Sequence, residues 1–219
     1  GNIDTSLNIA KKALKIDNCS SKAHNIIGLC YRNNSLDKAV YHFKQSIKHS
    51  PELYDGYHNL IDTYVMYQMN NEAINFLNKA IERFPTNSLP YITLGKLYEN
   101  INWLNKAISH YHAACKKHPD NITLQSSLAR CLISNQEFDD GFSILNKLHT
   151  KFDNHPEIIQ ELSSYYIIKR NYEHAHDLIK DFILKNFYHK KYINFYDECS
   201  ESFDNLLSEN EQKMIYLKC

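Results

Sequence analysis

The chain has 219 residues, 43% of them hydrophobic, with 25 Lys and Arg balancing 25 Asp and Glu. That is enough to bury a continuous core and too apolar for disorder, while zero net charge removes the long-range pull toward nucleic acid or an anionic membrane. No long apolar run and no signal-like start occurs, so no membrane span is expected and a cytoplasmic location follows. The cysteines Cys19, Cys30, Cys115, Cys131, Cys199 and Cys219 form no C-x-x-C pair, which argues against a zinc site, and several sit among apolar neighbours in helical pattern and read as small buried hydrophobes in a reducing compartment.

In chain order, Thr5 to Asp17 reads as a lone helix with Ala10, Ala13, Leu14 and Ile16 on one side. It is the second half of a helix pair, residues 3–20, either an atypical cap or the start of a fragment. Ile9, Ala13 and Ile16 then lack a preceding helix to cover them, and a stripe of that kind pairs with its own copy in a homodimer.

From residue 21 the chain repeats itself. Ala39, Ala73, Ala107, Gly141 and Ala175 are all small, and each lies 34 positions after the last. Tyr64, Tyr98, Leu132 and Tyr166 keep the same step, with Tyr31 one residue out of phase, and so do Pro51, Pro85 and Pro119. A fixed period of this length marks a stacked-repeat architecture. Within a unit the apolar residues recur at three and four, as in Tyr57, Leu60, Ile61, Tyr64 and then Ala73, Ile74, Leu77, Ala80, Ile81, on either side of the polar stretch Gln68 to Glu72. Each unit is thus a helix, a turn and a second helix, closed where proline stops the second helix. The units are 21–53, 54–87, 88–121, 122–155 and 156–187. The first is a residue short between Tyr31 and Ala39, which predicts a tighter turn. Gly141 replaces the usual alanine, Asp153 stands in the proline position, and Leu148 and Phe182 occupy a position that is small elsewhere, which predicts altered helix angles toward the C-terminus. Residues 188–219 read as further helices, the last opened by Ser208 and Glu211, with Phe203, Leu206 and Leu207 available to cover the open end.

This pattern resembles the tetratricopeptide repeat over nearly the whole chain, most closely in Tyr54 to Pro85 and Ser88 to Pro119, with Leu94, Gly95, Tyr98, Ala107, Tyr111, Ala114 and Pro119 in the family's positions. The resemblance implies an all-α fold, a right-handed α-solenoid of stacked antiparallel helix pairs, whose first helices line a concave groove. Groove positions carried over from the family are Lys22, Asn25, Leu29 and Arg32; His58, Asp62 and Met66; Ile92, Lys96 and Asn100; Ser126 and Arg130; and Gln160 and Ser164. The partner implied is a peptide or helix of another protein, with the chain acting as a scaffold or adaptor inside a multiprotein assembly. The alternative is a regulatory or substrate-recruiting segment of a larger enzyme, such as a glycosyltransferase.

The lysine and asparagine clamp by which some family members hold acidic chaperone tails is not reproduced: Asn59 fits its middle position, but Asn25, Leu29, Leu89 and Thr93 stand where its other members belong. The asparagine ladder of the sugar-transferase arrays is missing too. No H-E-x-x-H, glycine-rich phosphate loop or G-x-S-x-G occurs, and His110 with His112 and His174 with His176 are two apart, on different helix faces. No enzymatic activity, cofactor or metal is expected. Trp103 falls in a turn, where it is expected to cover a neighbouring unit.

Overall fold

Amphipathic stretches with apolar residues at three and four have one way to hide them, by pairing helix against helix. The computed structural model describes residues 3–186. The expected helices over 188–219, with Cys199 and Cys219, lie outside the described residues. Among the described residues all regular structure is helical: α1 (Ile3–Ile16), α2 (Ser21–Tyr31), α3 (Leu36–His49), α4 (Tyr54–Met66), α5 (Asn70–Arg83), α6 (Leu89–Asn100), α7 (Leu104–Lys117), α8 (Ile122–Ser134), α9 (Phe138–Lys151), α10 (Pro156–Ile168) and α11 (Tyr172–Lys185). The fold is an α-solenoid of helix pairs. Contacts divide the chain into two compact units, Gly1–Ala114 and Cys115–Cys219.

In the first unit α2 packs on α1 and α3, α4 on α3 and α5, and α6 on α5. One core runs through Ala39, Phe43, Leu60, Tyr64, Ala73, Leu77 and Leu94, and a smaller one joins Ala10 to Ala23 and Ile27. Ala39, Ala73 and Ala107 are fully buried. Two of the closest approaches are made by glycine. A Cβ on Gly28 would lie 2.5 Å from Phe43 Cε1, and one on Gly95 would lie 2.2 Å from Tyr111 Cζ. Where the second helix carries a buried aromatic, the first gives up its side chain. In the pair between them, Ile61 and Leu77 divide the volume more evenly within one cluster.

In the second unit α8 packs on α9, and α10 on α8, α9 and α11. The core gathers Ala129, Leu145, Leu148, Ile158 and Leu162, with Ile159, Ala175, Ile179 and Phe182 beside it. Gly141 is at an approach of the same kind, since its Cβ would meet Ile133 Cγ1 at 2.7 Å.

The turns inside four pairs share one hydrogen-bond pattern. The Met69 amide reaches back to Tyr64 O and the Gln68 amide to Val65 O; Trp103 and Asn102, Glu137 and Gln136, and Asn171 and Arg170 repeat this at the same step. The pattern needs a left-handed residue, and Gln68, Asn102, Gln136 and Arg170 take φ of 57, 59, 67 and 58°. The tyrosine-containing series therefore marks not only a packing position but the carbonyl that closes each helix.

Four expectations are corrected. The turn after α2 is not tighter: it spans Arg32 to Ser35, one residue longer than the others, without a left-handed residue, and the amides of Asn34 and Ser35 both bond Tyr31 O. The missing residue comes out of the helix end. Helix α5 already begins at Asn70, inside the stretch expected as turn. Ile16 is 90% exposed and does not share the packed side of α1, where Ala10, Ala13, Leu14 and Leu7 meet α2. Of the described cysteines only Cys131 is buried; Cys19 is exposed, and Cys30 and Cys115 are intermediate. At the position where Asp153 replaces proline, Asn154 closes the turn in a left-handed conformation, φ 63°, which asparagine tolerates well.

Candidate functional site

The first helix of each pair leaves one face uncovered, and in the first unit that face is carried by α2, α4 and α6. Asn59 Nδ2 donates to Asn25 Oδ1 at 2.9 Å, a side-chain bond across one full repeat that ties α4 to α2. It leaves the Asn25 amino group and the Asn59 amide oxygen without a partner among the described residues, one donor and one acceptor of the kind a peptide backbone matches. Around them Ile26, Leu29 and Met66 are 42, 41 and 49% exposed. Lys22 is exposed at one end of α2, while Arg32 at the other is half-buried, its carbonyl held by Tyr67 Oη at 2.8 Å. His58 faces Asp62 at 3.5 Å, both open to water, and stacks on Tyr54, whose phenol burial and Asp62 push up to about 12. On α6, Lys96 and Asn100 are exposed and Ile92 is half-buried. The chemistry is mixed: aliphatic patches, paired amides and charges of both signs.

The equivalent face of the second unit is occupied by its own side chains. Ser126 is fully buried; its Oγ donates to Glu157 Oε1 at 3.0 Å, and Thr123 donates to Oε2 of the same carboxylate at 3.0 Å. Arg130 Nη1 meets Glu161 Oε1 at 3.3 Å while its Nη2 donates to Ser127 Oγ at 3.3 Å. Ser126 is thus placed inside, not on a groove wall, and Arg130 is committed to a carboxylate that is only 9% exposed. Gln160 and Ser164 are exposed, Ser164 Oγ donating to its own helix at Gln160 O. Glu157 and Glu161, which organise this face, escaped the sequence reading; their signal is an acidic pair four apart, 31 to 34 residues after hydroxyl and guanidinium donors.

Two of the histidines singled out by their spacing lie against polar neighbours. His110 Nε2 lies 2.9 Å from Tyr91 O, and His174 Nδ1 lies 2.9 Å from Asn171 Oδ1 at the start of α11. Among the described residues no group of His, Cys, Asp and Glu converges as a metal ion needs. Trp103 packs on Tyr98 of its own pair, ring centroids 6.1 Å apart. It also borders an open cleft of about 310 Å³ with Gln68, Met69, Glu72 and Ile101. No described helix is long and apolar enough to cross a membrane.

Comparison with known proteins gives a consistent picture. No protein-family model matches the chain. It is similar to anaphase-promoting complex subunit 7 of Homo sapiens, 26% identical over 141 residues, which is 64% of this chain and 25% of the relative. The Arabidopsis thaliana subunit 7 is 22% identical over 132 residues, 59% of this chain and 24% of that protein. The chain thus spans about a quarter of the length of the curated relatives it matches. Among solved structures it superposes on Pseudomonas aeruginosa pilF with a TM-score of 0.62 at 14% identity, covering 90% of each chain. A protein of Thermus thermophilus described as a thermophilic TPR protein gives 0.60 at 17% identity over 82% of this chain and 98% of that one. YrrB, described as a TPR protein with an unusual peptide-binding site, gives 0.55 at 16% identity over 86% and 97%.

Proposed function

Starting from the premise that this chain has the tetratricopeptide-repeat fold, we propose that it is a protein-interaction scaffold that holds a peptide or helix of a partner on the face of α2, α4 and α6. The observation that carries the reading is the Asn25–Asn59 pair, with an amide donor and acceptor left over, between the exposed aliphatic side chains of Ile26, Leu29 and Met66. An extended segment bonds its backbone to paired amides and seats alternate side chains on aliphatic patches. The relatives are named as subunits of a complex, which favours work inside an assembly over the alternative of a recruiting segment of a larger enzyme. One solved relative of the fold is described by its peptide-binding site. In the second unit the corresponding donors are spent on Glu157 and Glu161, so the proposal rests on the first unit alone.

The test is affinity capture from the native cell extract, followed by measurement of each captured protein with the purified chain. Leu29→Glu with Met66→Glu places charge on both aliphatic patches without touching the buried core. Loss of the captured partner, with an unchanged helical circular-dichroism spectrum, is expected; a partner retained by that variant removes the groove from the proposal.

A homodimer through α1 is a second reading, favoured by Ile3, Ile9 and Ile16, which are 57, 63 and 90% exposed. A monomer by light scattering at millimolar concentration disposes of it.

A further inference from the structure

The zero net charge of the chain hides a local excess. Residues 3–50 carry eight Lys and Arg against Asp4, Asp17 and Asp37, a net charge of +5, which leaves −5 for the rest. The excess sits on α1, α2 and α3. Lys11 of α1 places Nζ 5.8 Å from the centroid of the Tyr31 ring, and Lys38 of α3 places Nζ 5.1 Å from the same centroid. The two ammoniums are therefore no more than about 11 Å apart, roughly one screening length in 0.1 M salt. Both lysines are exposed, and neither forms an ion pair among the described residues. One ring attracts two cations that repel each other, and among the described residues neither is joined to a carboxylate.

The groups beneath are aromatic rings. His42 stacks on Tyr31 with centroids 6.2 Å apart, its Nδ1 lies 2.9 Å from Nδ1 of His24, and His49 stacks on His24 at 5.7 Å. Burial first, then His24 and Lys11, bring His42 down to about 4, so Lys11 is felt at the imidazole. Tyr41 stands edge-on to His42, 57% exposed. On α1, Lys12 and Lys15 are exposed as well.

We propose that the Lys11, Tyr31 and Lys38 surface of α1–α3 is a docking site for an acidic peptide segment of a partner protein, separate from the α2, α4 and α6 face. Charge complementarity selects the partner: carboxylates set between the two ammoniums relieve their repulsion, and Tyr41 beside them offers apolar contact of a kind proteins use at interfaces. A nucleic acid fits less well, because binding there rises with the number of phosphates neutralised along a track, and these lysines form a compact cluster broken by an exposed tyrosine.

The experiment uses the whole chain and a fluorescein-labelled 12-residue peptide of alternating Glu and Leu, read by fluorescence anisotropy. Controls are the same peptide with Gln for Glu, a 12-nucleotide single-stranded RNA, and vesicles with 30% phosphatidylserine. The Glu peptide is expected to bind at least tenfold more tightly than the Gln peptide and to weaken at least tenfold between 50 and 500 mM salt. Lys11→Gln with Lys38→Gln, and separately Lys11→Glu with Lys38→Glu, is expected to cost tenfold or more. Lys147→Glu with Lys169→Glu, which changes charge equally in the second unit, is expected to cost less than twofold. Equal affinity for both peptides, equal loss with the control pair, or tighter binding of RNA or vesicles than of the Glu peptide overturns the proposal. Leu29→Glu with Met66→Glu leaves the α1–α3 site intact, so failure of the groove reading and failure of this one are distinguishable.

Discussion

At Gly95 the two helices of a pair come as close as they can. Tyr111 is fully buried and its hydroxyl donates to Glu99 Oε1 at 2.7 Å, so the ring that a Cβ would strike at 2.2 Å cannot swing away. Gly95→Ala is expected to cost about 3 kcal/mol, the upper end of overpacking penalties. Urea titration checks it, and adding Tyr111→Leu should recover part of the loss, because that restores the division of volume seen in Ile61 and Leu77. The left-handed residues give the opposite opportunity. Gln136 holds φ 67° with a side chain, a conformation that favours glycine. Gln136→Gly is expected to raise stability by roughly 0.5–1 kcal/mol, less than the full conformational relief because glycine also frees the unfolded chain. A lowered midpoint for that variant contradicts the assignment of this turn.

At the scale of elements, α2 and α3 are joined through the His24 and His42 imidazoles, one of which must donate and the other accept. Burial, the leading cause at both, lowers both residues, His42 to about 4; at His24 the Asn18 carbonyl opposes the shift and His49 adds to it. A histidine depressed in the folded state takes up protons more readily when unfolded. Its stabilising contribution is full above the unfolded value near 6.5 and is lost as pH falls from there toward 4. The urea midpoint should therefore drop between pH 7 and pH 5. In His42→Gln, which cannot titrate, the drop should be shallower; an identical slope would show that the pair does not govern it.

For the molecule as a whole, helices in the first unit touch mainly their sequence neighbours, so stability is close to a sum of pair and interface terms. Damage should then stay local. Hydrogen exchange on Gly95→Ala, followed helix by helix, is expected to show the largest loss of protection in α6 and α7 and a smaller loss in α2 and α3. A uniform loss over α1–α7 would mean that the unit opens as one body.

The helix pairs and their 34-residue step were legible in the sequence because Ala39, Ala73, Ala107, Gly141 and Ala175 answer a local demand, a small side chain wherever two adjacent helices meet, and a local demand recurs at the repeat length. The turns were half legible: Tyr64 and its equivalents announced themselves as packing residues, but Gln68, Asn102, Gln136 and Arg170 share a conformation and not a side-chain type, so no pattern of letters reports it. The candidate faces needed the tertiary structure. Periodicity places Asn25, Ser126 and Arg130 on corresponding positions, yet whether such a residue faces water or a neighbour depends on what stands one repeat further on: Asn59 pairs with Asn25 and leaves groups over, whereas Glu157 and Glu161 consume Ser126 and Arg130. Likewise Lys11, Tyr31, Lys38 and His42 come from three helices and meet only because those helices pack side by side. Packing within a repeat is written in the chain at short range; the exposed chemistry is decided between repeats, where side-chain size and charge are set by different neighbours each time.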